Sequence, residues 1–184
     1  MKELFFRACH ALWLAASVVV ILTANVARAG DTYTFDYTLE QKKIDSEQKF
    51  KKGVSYKVEH WCYNVTIQNT SFKDLGKVEI KYITFMKKEA PGSNAKPGQP
   101  ELEGKSGSTT IPVFKNNDKF VFTTEPMQLV SSQLQSGYVW ASGGPQSTRD
   151  ALKGLWMRFY IDGQQVAEYA NPPAITTKET WDKQ

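Results

Sequence analysis

Alternation of apolar and polar residues is the pattern that most limits what this chain can fold into. It is clearest over residues 56–68. One face of an extended strand there carries the apolar residues Trp61, Tyr63, Val65 and Ile67. The opposite face carries His60, Cys62, Asn64 and Thr66. Because side chains of a strand alternate with a period of two, whereas a helix repeats every 3.6 residues, this segment predicts a half-buried β-strand.

The same alternation recurs along the chain and predicts about seven strands. The further segments are residues 33–39, 78–82, 109–114, 119–124, 155–161 and 164–169. An Asp162-Gly163 pair joins the last two segments and is typical of a type I′ hairpin turn. Residues 116–118 (Asn-Asn-Asp) predict a second hairpin between residues 109–114 and 119–124. Near Ile83 and Phe85 the apolar side changes, which predicts a bulge or a switch between sheets.

The remaining segments lack this alternation. Residues 41–53 are rich in Lys and Glu and predict a solvated connection. Residues 88–108, with three prolines and four glycines, predict a long surface loop, and residues 131–147 predict a second one. Residues 147–154 begin with Ser and end with Gly, which predicts one brief helix.

Together these segments favour an all-β fold, an antiparallel two-sheet sandwich of about seven strands with one short helix. Strands do not alternate with helical patterns, so a parallel α/β sheet is disfavoured. A closed barrel remains the alternative, because seven strands alone do not distinguish a barrel from a sandwich.

The N-terminal residues predict a secretory signal peptide. Lys2 and Arg7 precede an apolar stretch over residues 11–26, and Ala27-Arg28-Ala29 offers small residues at the positions that a signal peptidase reads. The alternative is an uncleaved anchor, although the apolar stretch is short for a membrane span. Cleavage would leave a single domain over residues 30–184 without a transmembrane span.

Charge and cysteine content exclude several classes of protein. Residues 1–29 hold three basic residues and one acidic residue, so residues 30–184 keep 20 Lys and Arg against 18 Asp and Glu, a net charge of +2. This near-neutral balance disfavours a nucleic-acid binder. Only Cys62 remains after cleavage, which excludes an intrachain disulfide.

Two neighbouring segments carry a resemblance to a known class. Residues 61–71 (WCYNVTIQNTS), followed by residues 74–82 (DLGKVEIKY), resemble the second and third strands of secreted bacterial immunoglobulin-like domains. The chain from residue 30 onward is similar to single-domain secreted proteins of Gram-negative bacteria, some of which are pilus-related. The resemblance implies an immunoglobulin-like sandwich at the outer surface and brings no catalytic residue with it.

Few residues suggest chemistry. His60 and Cys62 would share a strand face, with Cα atoms about 7 Å apart, and could form a thiolate–imidazole pair. A buried cysteine and a packing histidine are the more ordinary interpretation. Residues 30–184 contain one Cys and one His, which are too few for a zinc site, and no calcium-loop, phosphate-loop or dinucleotide motif is present. We therefore expect no metal, no cofactor and no enzymatic activity.

The aromatic residues predict both packing and binding. Trp61 and Trp156 lie in alternating strands and are expected in the core, with Lys77, Glu79 and Lys81 exposed. Tyr138 and Trp140 lie in a Gly/Ser-rich segment and would face the same way on an extended chain, so they are the candidate binding residues. The alternative is an edge strand folded inward.

Arg158 lies between Trp156 and Tyr160 on one strand face, where it can stack on aromatic rings. A regular hairpin register places Glu168 on the opposite face, which disfavours a salt bridge between Arg158 and Glu168.

These features favour a non-catalytic exported protein of the periplasm or outer surface of a Gram-negative bacterium. It would act through surface contacts in a structural, adhesion or assembly role, with envelope proteins or a second copy of itself as partners. The alternatives are a carbohydrate-binding module that uses Tyr138 and Trp140, and a small secreted hydrolase that uses His60 and Cys62.

The signal-peptide interpretation makes a direct prediction. When the full-length chain is expressed in a Gram-negative host, we expect the exported protein to begin at Gly30, because residues 27–29 supply the cleavage motif. N-terminal sequencing of the exported fraction measures this. Retention of Met1 in that fraction would contradict it.

Overall fold

The computed structural model describes residues 33–89, 102–141 and 143–181. It contains nine strands, which are β1 (Phe35–Lys51), β2 (Val54–Asn69), β3 (Val78–Lys87), β4 (Leu102–Ile111), β5 (Lys119–Thr123), β6 (Met127–Leu134), β7 (Ser147–Arg149), β8 (Ala151–Ile161) and β9 (Gln164–Asn171). One short helix, α1, spans Ile175–Lys178.

The strands form two antiparallel sheets. Sheet 1 has the order β1-β2-β6-β7, with β5 also paired to β2, and sheet 2 has the order β4-β3-β8-β9. Because β1 pairs along the whole of β2, β5 and β6 must follow one another on the other edge of β2. Thr124 bonds Tyr63 between them, so β5 and β6 act as one interrupted strand.

Counted in this way, the strand order is that of an immunoglobulin-like sandwich. If the three-residue edge strand β7 of sheet 1 is left out of the count, the first, second and fifth strands form one sheet, while the third, sixth and seventh form the other, with the fourth at its edge. The prediction of an antiparallel two-sheet sandwich is confirmed.

The core lies between the inner faces of the two sheets. Val65 and Ile67 of β2 pack toward Ile80 of β3 and toward Met157 and Phe159 of β8, and all five are fully buried. Phe35 stacks on Phe159 with ring centroids 5.0 Å apart. The prediction for the inner face of β2 is confirmed over Tyr63, Val65 and Ile67, whereas Trp61 is only half-buried.

Buried apolar residues also occupy the outer face of sheet 2. Ile83 and Phe85 of β3 and Trp156 of β8 form a second cluster with Ile175 of α1. Residues 172–181, which follow β9, fold back over this face, and we call them the C-terminal cover. In this segment Trp181 meets the Trp156 ring edge-on at 5.1 Å. The predicted change of apolar side near Ile83 is therefore explained by a covered outer face, and β3 does not change sheets. Trp156 is buried as expected, but beneath this C-terminal cover.

Four segment assignments were wrong. Residues 131–134 of the second predicted loop belong to β6. Residues 41–51 continue β1, because their backbone pairs with β2 although their side chains are exposed. Residues 102–108 belong to β4, while residues 90–101 of the predicted loop lie outside the described residues. The helix predicted over residues 147–154 is replaced by β7 and the start of β8, because the Asp150 carboxylate accepts N–H groups of Glu89 and Val130 across strands.

Two hairpin predictions had different outcomes. The Asp162-Gly163 hairpin is confirmed, and both residues have positive φ. The prediction of a hairpin between residues 109–114 and 119–124 was wrong, since β4 pairs with β3 in sheet 2 and β5 pairs with β2 in sheet 1. Buried Phe114 lies in the connection and exchanges two backbone hydrogen bonds with Leu75.

The salt bridge that the regular register disfavoured is present. A bulge between Phe159 and Tyr160 shifts the pairing by one residue, so Arg158 stands opposite Glu168. Arg158 Nε donates to Glu168 Oε1 at 2.6 Å, and the Trp156 indole N–H donates to the same oxygen at 2.9 Å. The Arg158 guanidinium also stacks on the rings of Trp156 and Trp181. These contacts hold the C-terminal cover against sheet 2.

The C-terminal cover makes the fold sensitive to Gly154. A methyl group there would overlap the Ile175 side chain, the Asn171 carbonyl and the Pro172 ring. We expect Gly154→Ala to lower the free energy of unfolding by about 1–3 kcal/mol, because overpacking forces the cover away from the sheet.

Urea unfolding followed by tryptophan fluorescence measures this loss. Gly76→Ala is the matched control, because a methyl group at Gly76 meets no atom within 4 Å. Equal stabilities of the two variants would contradict the packing of the cover.

Candidate binding surface

Sheet 1 extends beyond the end of sheet 2. Cross-strand pairing lines up its inward-facing residues in rows, because directly paired residues share one face of a sheet. The last covered side chains are those of Trp61, Met127 and Leu129, which pack against Met86 and Leu152 at the end of sheet 2. Beyond them the inner face of sheet 1 becomes polar.

Two polar rows follow. The first row contains Gln48, Lys57, Ser131 and Arg149 on β1, β2, β6 and β7. The second row, nearer the β1–β2 turn, contains Phe50, Ser55, Gln133 and Ser147. All residues of these two rows except Phe50 line an open groove of about 450 Å³, which we call the polar groove. Glu89, which follows β3, also lines it.

Glu59 marks the boundary between the covered core and the polar groove. It is largely buried and pairs with Lys57 at 2.7 Å and Lys43 at 3.7 Å. Its pKa lies below the usual glutamate range, because the hydrogen bond from Lys57 and that from the Trp61 indole outweigh desolvation. A lowered pKa means that these ion pairs stabilise the fold at neutral pH and weaken only as the pH falls through that value.

Arg149 and Glu89 meet at the sheet 2 side of the groove. The backbone N–H of Arg149 donates to Glu89 Oε2 at 3.3 Å. The pKa of Glu89 is lowered by the hydrogen bond from Lys87 and by this N–H. Within the described ranges, no acidic side chain pairs with the guanidinium of Arg149.

Exposed apolar residues cluster at the same end of the molecule. Gln135 donates its backbone N–H to Gly53 in the β1–β2 turn, and the Tyr138 ring packs over Gly53. Tyr138 is 56% exposed, the adjacent Val139 is 83% exposed, and Phe50 near the turn is 67% exposed. We call Phe50, Tyr138 and Val139 the hairpin tip.

The structure places the two candidate binding residues differently. Tyr138 is exposed in the hairpin tip, whereas Trp140 is half-buried and its indole N–H donates to the Pro145 carbonyl at 2.9 Å. They lie in a turn-containing connection between β6 and β7, and the strand geometry that would align two such rings is absent there. Their role in binding stays a prediction.

His60 and Cys62 have separate partners. His60 Nδ1 lies 2.6 Å from the Asp45 carboxylate, whereas Cys62 is fully buried with its thiol 3.6 Å from the Lys42 carbonyl. Burial raises the pKa of the Cys62 thiol, which opposes the thiolate form that a nucleophile needs. This environment is that of a packed cysteine.

The described residues offer no other obvious chemistry. Among them, no group of three or more His, Cys, Asp or Glu side chains could hold a metal ion. No helix in the described ranges is long and apolar enough to cross a membrane.

Sequence reasoning missed the polar groove, although a signal was present. Over residues 54–59 the polar residues Ser55, Lys57 and Glu59 fall on the face that carries Trp61, Tyr63 and Val65 further along. The apolar Val54 and Val58 fall on the opposite face. The apolar side of β2 therefore changes within the strand.

The fold and this surface define the chain as an immunoglobulin-like β-sandwich with an extended first sheet. No protein-family model matches the chain. No curated protein matches it either.

Three solved structures illustrate distant matches to the chain. A Bordetella pertussis protein solved under the name ApaA is 9% identical, with 76% of this chain and 94% of that chain covered and a TM-score of 0.39. A β-glucosidase from Erythrobacter marinus is 14% identical over 75% of this chain but only 15% of its own, with a TM-score of 0.29. A protein from Akkermansia muciniphila is 8% identical over 74% and 70% of the two chains, with a TM-score of 0.26. These values support no functional conclusion.

The environment of Cys62 predicts low thiol reactivity. In the chain from residue 30, which contains no other cysteine, we expect a thiol reagent to modify native Cys62 at least about tenfold more slowly than the unfolded chain. Absorbance after addition of an aromatic disulfide measures the rate.

A Cys62→Ser, Thr110→Cys chain is the control, because Thr110 is exposed on β4 and its thiol should react at an ordinary rate. Rapid reaction of native Cys62 would contradict its burial and restore the thiolate–imidazole hypothesis.

Proposed function

We propose that this chain is an exported protein of the Gram-negative cell envelope that acts by binding another protein through its hairpin tip. The observation that carries the proposal is the grouping of Phe50, Tyr138 and Val139, three large exposed apolar residues from two distant segments, at one end of the sandwich. Grouped exposed apolar residues are typical of interaction sites.

Two further features support this proposal. The N-terminal sequence has the charge, apolar stretch and small residues of an export signal. Tyr138 is held against Gly53, so part of the contact surface is ordered before binding and less conformational entropy is lost on association. The role is structural, adhesive or in assembly, in the periplasm or at the outer surface, and the resemblance to secreted immunoglobulin-like domains agrees with it.

A carbohydrate-binding module is the second candidate function. Exposed Tyr138 supports it, since an aromatic ring can stack on a sugar, although Trp140 is less accessible than this hypothesis requires. The hydrolase alternative has lost its supporting pair, because His60 contacts Asp45 and the Cys62 thiol is buried.

Site-specific crosslinking in intact cells tests the hairpin tip. With a photoreactive residue at Val139, we expect a discrete adduct with an exported protein or with a second copy of this chain, because the tip is the contact surface. The readout is gel mobility followed by mass spectrometry of the envelope fraction.

Position 72 is the matched control, because Phe72 is apolar and 99% exposed but follows the other end of β2. A second variant, Tyr138→Ala with the crosslinker still at Val139, should weaken the adduct. Absence of an adduct from Val139, or an equal adduct from position 72, would contradict the proposal.

A further inference from the structure

The polar groove has side chains suited to a ligand rich in hydroxyl groups. Its rows present two amides, from Gln48 and Gln133, and three hydroxyls, from Ser55, Ser131 and Ser147. Amides and hydroxyls can both donate and accept hydrogen bonds, as sugar hydroxyls do. The Gln48 amide donates to Ser55 Oγ at 3.1 Å, so these two groups are already oriented on the groove floor.

The charges of the groove select one kind of saccharide. Lys57 forms an ion pair with Glu59. Glu89 forms an ion pair with Lys87 and accepts a hydrogen bond from the Arg149 N–H, so the charges of Lys57 and Glu89 are largely compensated. The Arg149 guanidinium remains, with no acidic partner among the described residues. A free guanidinium beside neutral donors matches a carboxylate, which it can bind through two parallel hydrogen bonds.

The dimensions and the edge of the groove agree with a short oligosaccharide. Arg149 and Lys57 lie two strands apart in one row, which places their Cα atoms about 10 Å from each other. Phe50 ends the second row and is exposed, so its ring can cover the apolar face of a sugar. The groove volume of about 450 Å³ lies within the range of small-ligand sites.

Other ligand classes fit less well. A polyphosphate chain would meet the Glu89 carboxylate in the groove and, at its boundary with the core, that of Glu59. An extended peptide could add to the edge strand β7, but that strand has only three residues, whereas the amides, serines and Arg149 of the groove lie on the sheet face and offer side-chain contacts.

We propose that the polar groove binds a carboxylate-bearing oligosaccharide, with Arg149 at the carboxylate, the amides and serines at the hydroxyls, and Phe50 against a sugar ring. This site shares only Phe50 with the hairpin tip, and neither proposal depends on the other.

Calorimetric titration of the chain from residue 30 with a trimer of galacturonic acid tests the proposal. We expect the wild-type chain to bind the trimer, with an affinity that falls as salt is added. The methyl ester of the same trimer, which lacks the charge, should bind at least tenfold more weakly.

Arg149→Gln should lower the affinity for the acid trimer at least tenfold, because it removes the charge and keeps an amide of similar size. Lys77→Gln is the matched control, since it removes an exposed cation outside the groove, and should bind as the wild type does. Circular dichroism checks that both variants fold.

Three results would overturn the proposal. They are no binding of the trimer by the folded wild-type chain, equal binding of the acid and its methyl ester, and unchanged affinity in Arg149→Gln. Loss of binding in Tyr138→Ala but not in Arg149→Gln would also overturn it and would place a sugar site at the hairpin tip. The crosslinking result at Val139 does not depend on any of these outcomes.

Discussion

The pairing of β2 along both of its edges is the constraint on which the rest of the structure depends. β1 follows one edge from Phe35 to Lys51, and β5 and β6 share the other. Since backbone hydrogen bonds hold β2 over its full length, its side chains can serve different purposes at its two ends. The Ile67 end closes the core, and the Lys57 end forms the groove floor. A bulge in β1 between Lys43 and Asp45 lies opposite this change of role, where it permits extra bending.

A second constraint is the apolar outer face of sheet 2. Ile83, Phe85 and Trp156 would be exposed if the chain ended at β9, so the C-terminal segment is needed to bury them. Gly154 leaves room for that segment, and the oxygen of Glu168 accepts both the Arg158 guanidinium and the Trp156 N–H beneath it. The cover therefore combines apolar burial with a charge-assisted hydrogen bond, which is stronger than a neutral one.

Local sequence predicted the features that local chemistry determines. The Asp162-Gly163 turn and the inner face over Tyr63 to Ile67 follow from backbone conformation and alternation. The features that sequence analysis missed depend on partners that are distant in sequence.

Gly107 suggested a loop, but it lies under the ring of Tyr82 and lets β4 approach β3. The Arg158–Glu168 pair was missed because a bulge of one residue reverses the face of every residue beyond it.

The candidate binding residues show the same limit. Tyr138 could be predicted as a candidate because an aromatic residue in a Gly/Ser-rich segment is a local signal, whereas Arg149 becomes a candidate only when the pairing of β6 with β7 places it beside Ser131. The position of Lys57 on a sheet face was not predicted, because residues 41–53 lack the alternation of a strand. Without that strand, β2 had no predicted partner at this end. Once β1 is recognised as its partner, the alternation of Ser55, Lys57 and Glu59 describes a polar sheet face. The opposite face of the same extension buries Val54 and Leu134, which pair at its far end, so one side of the extension is packed while the other stays polar. The polar face adds no apolar burial of its own, and the saccharide site proposed above would give it a role.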